Sequence, residues 1–268
     1  MTILWLNGAL VPAEQARIDP ADRGFTLGDG VFETLAAADF RPLRLDRHLA
    51  RLREGAAVLR IPVPVEDAVL AAGLAALLEA NGIASGSLRL TLARGPGPRG
   101  LALPAEPNPT LLATAAPAAP APPPARAIIA TRTRRNEFSP LARIKSLNTL
   151  DNIIARTEAA ERGADEAILL NTAGQVAESS IANLFVVLDG RLVTPPVSAG
   201  ALPGIRRAEI LAAGGAEERV VGPEDLLRAE EAFLTSSLSL RPLIAVDGRP
   251  IGPGLPGPAF RALTAGQG

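Results

Sequence analysis

Cysteine and tyrosine are absent from this chain, and histidine and lysine occur once each. Without cysteine there are no disulfides, no thiolate metal sites and no thiol nucleophile. A single histidine, His48, excludes a multi-histidine metal centre and allows a Ser-His-Asp triad only if His48 is its base. His48 lies in "RLDRHLARLREGAAVLR", where Leu45, Leu49, Leu52, Ala56 and Leu59 recur at helical spacing. That setting reads as a helix-surface or capping histidine rather than a catalytic one. No stretch approaches the roughly 20 continuous apolar residues of a membrane span. "MTILWLNGALVP" lacks the basic and apolar regions of a secretory leader. A formal net charge of −1, without a basic run, argues against nucleic acid or a membrane surface as partner. The expectation is a soluble cytoplasmic protein.

The scarcity of lysine carries more information. Of the 27 basic residues 26 are arginine, and the exception is Lys145 in "LARIKSLNTLDN". Where only charge is wanted this chain uses arginine, which stays protonated at any accessible pH. A lysine amine can lose its proton and act as a nucleophile, so covalent chemistry is the role that would preserve a single lysine.

What is present suffices for a large core. The chain has 268 residues, 47% of them hydrophobic, enough for one large domain or two smaller ones. "ATAAPAAPAPPPARA", residues 113–127, is rich in Pro and Ala and reads as an extended linker between a domain at 1–112 and another at 128–268. The first half opens with a hairpin, "ILWLNGALVP", turning at Asn7-Gly8. A Gly-flanked strand, "GDGVFETLAAAD", comes next. Two helices follow, the one bearing His48 and "VEDAVLAAGLAALLEANG", and then a strand, "GSLRLTLARG". The second half predicts a strand at "AIIATR" and a helix at "NTLDNIIARTEAAERGA", with Asn148 or Thr149 as its cap. The hairpin pairs "EAILLNTAGQVAES" and "ANLFVVLDGRLVTP" follow, then a helix at "GIRRAEILAAG" and strands at "AFLTSS" and "PLIAVDGRPIG". The pattern is α/β, more narrowly α+β, in two domains, the second a hairpin-rich sheet or barrel with helices.

Chemistry-bearing residues recur along this frame. Glu178 opens "ESSIANLFVV", "LPGIRR" begins a helix whose amides can hold an anion, "LTSSLSLRP" ends a strand with hydroxyls, and Arg51 lies on the His48 helix. An amine, a carboxylate, a helix start, hydroxyls and an arginine are the set that a phosphorylated aldehyde cofactor needs.

From "RGFTLGDGVFET" through "HLARL", "RGPGPRG", "IKSLN", "GADEAILLNTAGQVAESSIANLF", "LPGIRR" and "LTSS", the sequence resembles the class IV aminotransferases, fold-type IV enzymes that use pyridoxal 5′-phosphate (PLP). The resemblance implies a smaller amino-terminal and a larger carboxy-terminal domain with PLP between them. It also implies a homodimer whose sites are each completed by a partner loop. It assigns Lys145 to a Schiff base with the cofactor aldehyde, Glu178 to the pyridine nitrogen, and Arg51 to the phosphate through a two-pronged ion pair. The amides of Ile205 and Arg206 and the hydroxyls of Ser236 and Ser237 would hold the remaining phosphate oxygens, with Asn148 and Ser180 as supporting residues.

Three reactions occur on this scaffold: branched-chain transamination, D-amino acid transamination, and aminodeoxychorismate lysis to 4-aminobenzoate and pyruvate. "RGPGPRG" is similar to the loop of the lyases and D-amino acid enzymes, where an arginine at the Arg99 position meets a substrate carboxylate. Thr34 stands where the lyases commonly carry threonine, and Arg241 before Pro242 also looks like the lyase pattern, in a loop one residue shorter than usual. Phe32 and Leu101 replace polar residues common in the D-amino acid enzymes, which favours the lyase. The alternatives are a transaminase passing an amino group to a 2-keto acid, and a weakly catalytic PLP-binding protein.

Overall fold

The computed structural model describes residues 1–265, so the last three residues expected in the second domain, 266–268, lie outside the described residues. Two compact units result: Met1–Pro120 with Ile144–Asn148, and Ala121–Arg143 with the chain from Thr149 on.

In the first unit the hairpin of β1 (Ile3–Leu6) and β2 (Ala9–Pro12) leads to a short α1 (Arg23–Leu27) and the long β3 (Gly30–Ala38). β4 (Arg41–Pro42), α2 (Leu45–Leu59), α3 (Asp67–Ala80), β5 (Gly86–Ala93) and β6 (Thr110–Pro117) follow. The six strands form one sheet in the order β2-β1-β6-β5-β3-β4, every pairing antiparallel. Asn7 and Gly8 both take positive φ, the conformation a two-residue hairpin turn requires.

Alternation along the strands decides which face is covered. Leu88, Leu90 and Leu92 of β5 join Val31 and Leu35 of β3 under α2 and α3, whose Leu49, Leu52, Ala56, Leu70, Leu74, Leu77 and Leu78 complete the core. The intervening residues, Phe32 and Thr34 on β3 and Arg89 and Thr91 on β5, point to the other face. Gly73 allows α3 to lie against Trp5, since a Cβ there would come within 2.4 Å of the indole nitrogen.

The Lys145 segment belongs to this unit for a hydrogen-bonding reason. β4 pairs only with the far end of β3, at Ala37 and Ala38, so the backbone of Gly30–Phe32 has an open edge. Residues 144–148 fill it: Phe32 donates to the Lys145 carbonyl and Leu147 to the Gly30 carbonyl, both at 2.9 Å.

The second unit holds β7 (Ala125–Ile129), α4 (Leu150–Glu161), β8 (Glu166–Leu170), β9 (Val176–Ser179), β10 (Asn183–Leu188), β11 (Arg191–Thr194) and α5 (Ile205–Ala212). β12 (Glu217–Glu218), α6 (Pro223–Arg228), β13 (Glu231–Thr235), β14 (Leu240–Val246), β15 (Arg249–Pro250) and α7 (Pro258–Ala265) complete it. Its sheet runs β12-β11-β10-β13-β14-β7-β8-β9, with β15 beside β14. It is mixed, because β7 joins β14 and β8 in parallel. β8, β9 and β13 are buried along their whole length, as expected of strands covered on both faces. One face packs Leu184, Val186 and Leu234 with Leu226 of α6, while on the other Phe185 stacks on Phe233 beneath α7.

Two sequence expectations change. The Pro/Ala-rich stretch 113–127 leaves a shorter connection than its composition suggests, because β6 runs to Pro117 and β7 starts at Ala125. Small residues are no obstacle to a ladder, and β6 pairs with β5 along its whole length. Thr149 stands at the N-cap of α4, but its side chain makes no capping bond, and the Asn148 amide donates instead to the Gly28 carbonyl at 3.0 Å.

Candidate active site

The first unit gathers Lys145, Phe32 and Thr34 on the sheet face turned away from the leucine core. Lys145 Nζ lies 4.5 Å from the centroid of the Phe32 ring. Arg89 Cζ lies 3.8 Å from the same centroid, a cation–π contact. Strand register explains the grouping: Phe32 stands opposite Thr91 and Thr34 opposite Arg89. Burial holds the Arg89 guanidinium below the usual arginine value, and it has no carboxylate partner among the described residues. Sequence reasoning missed Arg89. Its only signal was its place among alternating leucines in "SLRLTLA", where a solvated arginine is the ordinary reading.

Arg51 is buried on α2 and shares Glu33 of β3 with His48. Its Nε and Nη2 meet the Glu33 carboxylate at 2.8 and 2.7 Å, and His48 Nδ1 meets it at 2.7 Å. The two-pronged grip expected for a phosphate is therefore given to Glu33. His48 is not on the helix surface: it is 1% exposed, because its side of α2 faces β3 and a buried carboxylate needs its donor. Arg99 and Leu101 are exposed in the loop after β5, and Arg99 makes no hydrogen bond or ion pair among the described residues.

The second unit gathers its residues around Asn183. Glu178, at the buried end of β9, receives Arg135 at 3.1 Å on Oε1, and the Leu202 amide at 3.0 Å and Asn183 Nδ2 at 3.3 Å on Oε2. Asn183 Nδ2 also donates to the Leu202 carbonyl at 2.9 Å. Arg135 is itself fixed on the Gly200 and Ala142 carbonyls. Ile205 and Arg206 open α5, whose N-cap is Gly204 and which no side chain caps. Opposite Asn183 in the ladder stands Thr235, so the β13–β14 turn with Ser236 and Ser237 begins next to the same asparagine. Ser236 Oγ accepts the Leu238 and Ser239 amides, both at 3.2 Å, which folds the shortened loop into a tight four-residue turn.

Three residues singled out from sequence have structural duties. Ser180 Oγ donates to the buried Glu166 carboxylate. Arg241, whose sequence setting looks lyase-like, is committed to Asp165 and the Pro123 carbonyl, each at 2.7 Å. Asn148 ties residues 144–148 to the turn at Gly28. Arg135 and Asn183 were not anticipated; a single arginine among many and an asparagine at a strand start carry no distinctive pattern.

The sequence pattern of the family described as amino-transferase class IV matches residues 30–246. The chain belongs to this family. Among similar proteins, the D-alanine aminotransferase of Bacillus licheniformis is 33% identical over 94% of this chain and 91% of its own length. The solved 4-amino-4-deoxychorismate lyase of Pseudomonas aeruginosa is 36% identical, covers 98% of this chain and 97% of its own, and superimposes with a TM-score of 0.84. The branched-chain amino acid aminotransferase of T.th., solved with pyridoxamine 5′-phosphate, is 28% identical over 98% of this chain and 92% of its own, with a TM-score of 0.89.

Class IV aminotransferases are PLP-dependent enzymes, and the residues here fit that cofactor. Thr235 Oγ1, beside the Ser236–Ser237 turn, is buried with no hydrogen-bond partner among the described residues. The start of α5 stays open because Gly204 has no side chain, and a Cβ there would fall 1.9 Å from Asn183 Oδ1. The Glu178 carboxylate is oriented by three donors rather than left to rotate. An uncapped helix start with nearby hydroxyls suits a phosphate, and a fixed carboxylate suits a protonated pyridine. Among the described residues no group of three His, Asp or Glu side chains could hold a metal ion, and no helix is long and apolar enough to cross a membrane.

Proposed function

We propose that this class IV enzyme is a 4-amino-4-deoxychorismate lyase. One observation carries the reading: beside Lys145 lies a row of Phe32, Thr34, Arg89 and Thr91, which pairs hydroxyls with a cation that has no carboxylate partner among the described residues and contains no tyrosine. Aminodeoxychorismate brings two carboxylates, one on its ring and one on its enolpyruvyl group. Arg89 meets one and the exposed Arg99 the other, each through the fork that matches a carboxylate.

Each residue then has a task. The Ile205 and Arg206 amides, the Ser236 and Ser237 hydroxyls and Arg51 bind the cofactor phosphate, and Glu178 holds a proton on the pyridine nitrogen. When bound, PLP supplies an electron sink for the pair left when a C–H bond next to the amino group breaks. Lys145 supplies the amine that bonds the cofactor and, once freed, takes the proton from the amino-bearing ring carbon. The neighbouring C–O bond then breaks and its electron pair leaves on the enolpyruvate oxygen. The proton taken by Lys145 is then returned to the enolpyruvate methylene, relayed by the Thr34 hydroxyl on the same face, which gives up one proton and regains another, to give pyruvate and leave the ring aromatic as 4-aminobenzoate. Arginine at 145 could neither bond the aldehyde nor accept the proton.

A transaminase is the second reading. Arg89 would equally suit the side-chain carboxylate of a dicarboxylic amino or keto acid, and the B. licheniformis relative supports amino transfer. The three donors on Glu178 argue against a protein that merely stores PLP. We also infer a homodimer, supported by Leu150, Ile153 and Ile154, which leave one face of α4 apolar and exposed.

The test is Arg89→Met. The KM for aminodeoxychorismate is expected to rise about tenfold or more with kcat changed far less. An unchanged KM would remove the basis of the reading.

A further inference from the structure

Arg99 is exposed and makes no hydrogen bond or ion pair among the described residues, yet a carboxylate-gripping residue has to be held in place. The structure supplies a holder one element away. Arg23, the first residue of α1, is 4% exposed and turns its guanidinium toward the loop after β5. Its Nη1 donates to the Gly100 carbonyl at 3.1 Å and the Ala102 carbonyl at 3.0 Å, so it grips the main chain directly after Arg99. The loop closes onto it: a Cβ at Gly97 would lie 2.7 Å from Arg23 Cδ.

Arg23 is itself fixed. Its Nε meets Asp29 at 2.8 Å, and the same carboxylate receives Arg94 at 2.8 Å. Arg94 in turn donates to the Leu59 and Arg60 carbonyls at the end of α2. The turn that carries Asp29 also receives the Lys145 segment, through Asn148 on the Gly28 carbonyl and Leu147 on the Gly30 carbonyl. One short stretch, residues 23–30, therefore ties the Arg99 loop to the strand edge that holds Lys145. Loss of Arg23 leaves Asp29 still paired with Arg94, so the turn keeps its buried ion pair.

We propose that Arg23 is a positioning residue for substrate recognition, acting through the Gly100 and Ala102 carbonyls to present Arg99. It rests on the reading that Arg99 meets a substrate carboxylate, and it adds that the specificity of this loop is set from α1. The effect belongs to substrate affinity, since a loosened loop misplaces a binding group without touching the cofactor residues.

Full-length holoenzymes carrying Arg23→Met, Arg23→Lys and Arg99→Met test this with aminodeoxychorismate as the varied substrate. Three readouts are taken: KM and kcat, the visible absorbance of bound PLP, and the rate of tryptic cleavage after Arg99. Arg23→Met is expected to raise KM about tenfold, close to Arg99→Met, with kcat within about twofold of the parent. The cofactor absorbance stays unchanged and cleavage after Arg99 accelerates. Arg23→Lys lies between, since a single ammonium cannot keep both the Asp29 pair that Nε makes and the two carbonyls that Nη1 holds. If Arg99→Met raises KM while Arg23→Met does not, the positioning role is overturned and the Arg99 reading stands. If Arg99→Met leaves KM unchanged, the Arg99 reading fails and takes the proposal with it. If Arg23→Met loses cofactor absorbance together with kcat, Arg23 supports the unit generally and the proposal is wrong.

Discussion

Glu33 is a buried carboxylate standing where strand alternation calls for an apolar side chain. Burial by itself would raise its pKa, but hydrogen bonds from Arg51 and His48 outweigh that and hold it below the usual carboxylate value. A carboxyl so depressed stabilises the folded state at pH above its unfolded value of about 4.3, and that contribution is lost as pH falls through the lower folded value. The thermal midpoint is therefore expected to drop on acidification from about pH 5 to pH 3, and to drop less in Glu33→Gln. Glu33→Ala would remove the buried carboxylate that Arg51 and His48 share, with an expected loss of about 3–5 kcal/mol by denaturant unfolding. At Lys145 the expectation is spectroscopic: Lys145→Arg abolishes the visible absorbance of bound PLP, and normal absorbance with turnover would refute the assignment. Lys145 was legible because composition isolates it and "IKSLN" gives it a context. Arg89 was not, since its meaning depends on strand register and on a ring brought close by another strand.

Elements were read more completely than their ends. The helices at 45–59 and 67–80, the hairpin at Asn7-Gly8 and the strand at 86–93 follow from periodicity and turn chemistry local to each segment. β6 was hidden because its pairing with β5 depends on a long-range partner, not on its Ala-rich composition. The start of α5 was anticipated from "LPGIRR", but its coupling to Asn183 was not. That coupling gives an element-level prediction. Gly204→Ala would drive a Cβ into the Asn183 carboxamide, displacing it from both Glu178 and Leu202. The loss of such hydrogen bonds costs about 1–3 kcal/mol, so the Kd for PLP is expected to rise about tenfold or more by fluorescence titration. An unchanged Kd would show that the helix start tolerates a side chain.

The whole molecule carries the class IV scaffold. The pattern match over residues 30–246 and the superposition on solved relatives fix the scaffold, while lyases and transaminases share that scaffold. The exposed apolar face of α4 predicts that the protein sediments as a dimer and that Ile153→Asp shifts it toward monomer. A monomer in the parent protein would remove that inference. A single incubation of the holoenzyme with aminodeoxychorismate, with and without 2-oxoglutarate, tests the lyase assignment most directly. Pyruvate and 4-aminobenzoate are expected in equal amounts and at the same rate in both. Amino transfer that requires the keto acid, without release of 4-aminobenzoate, would contradict it.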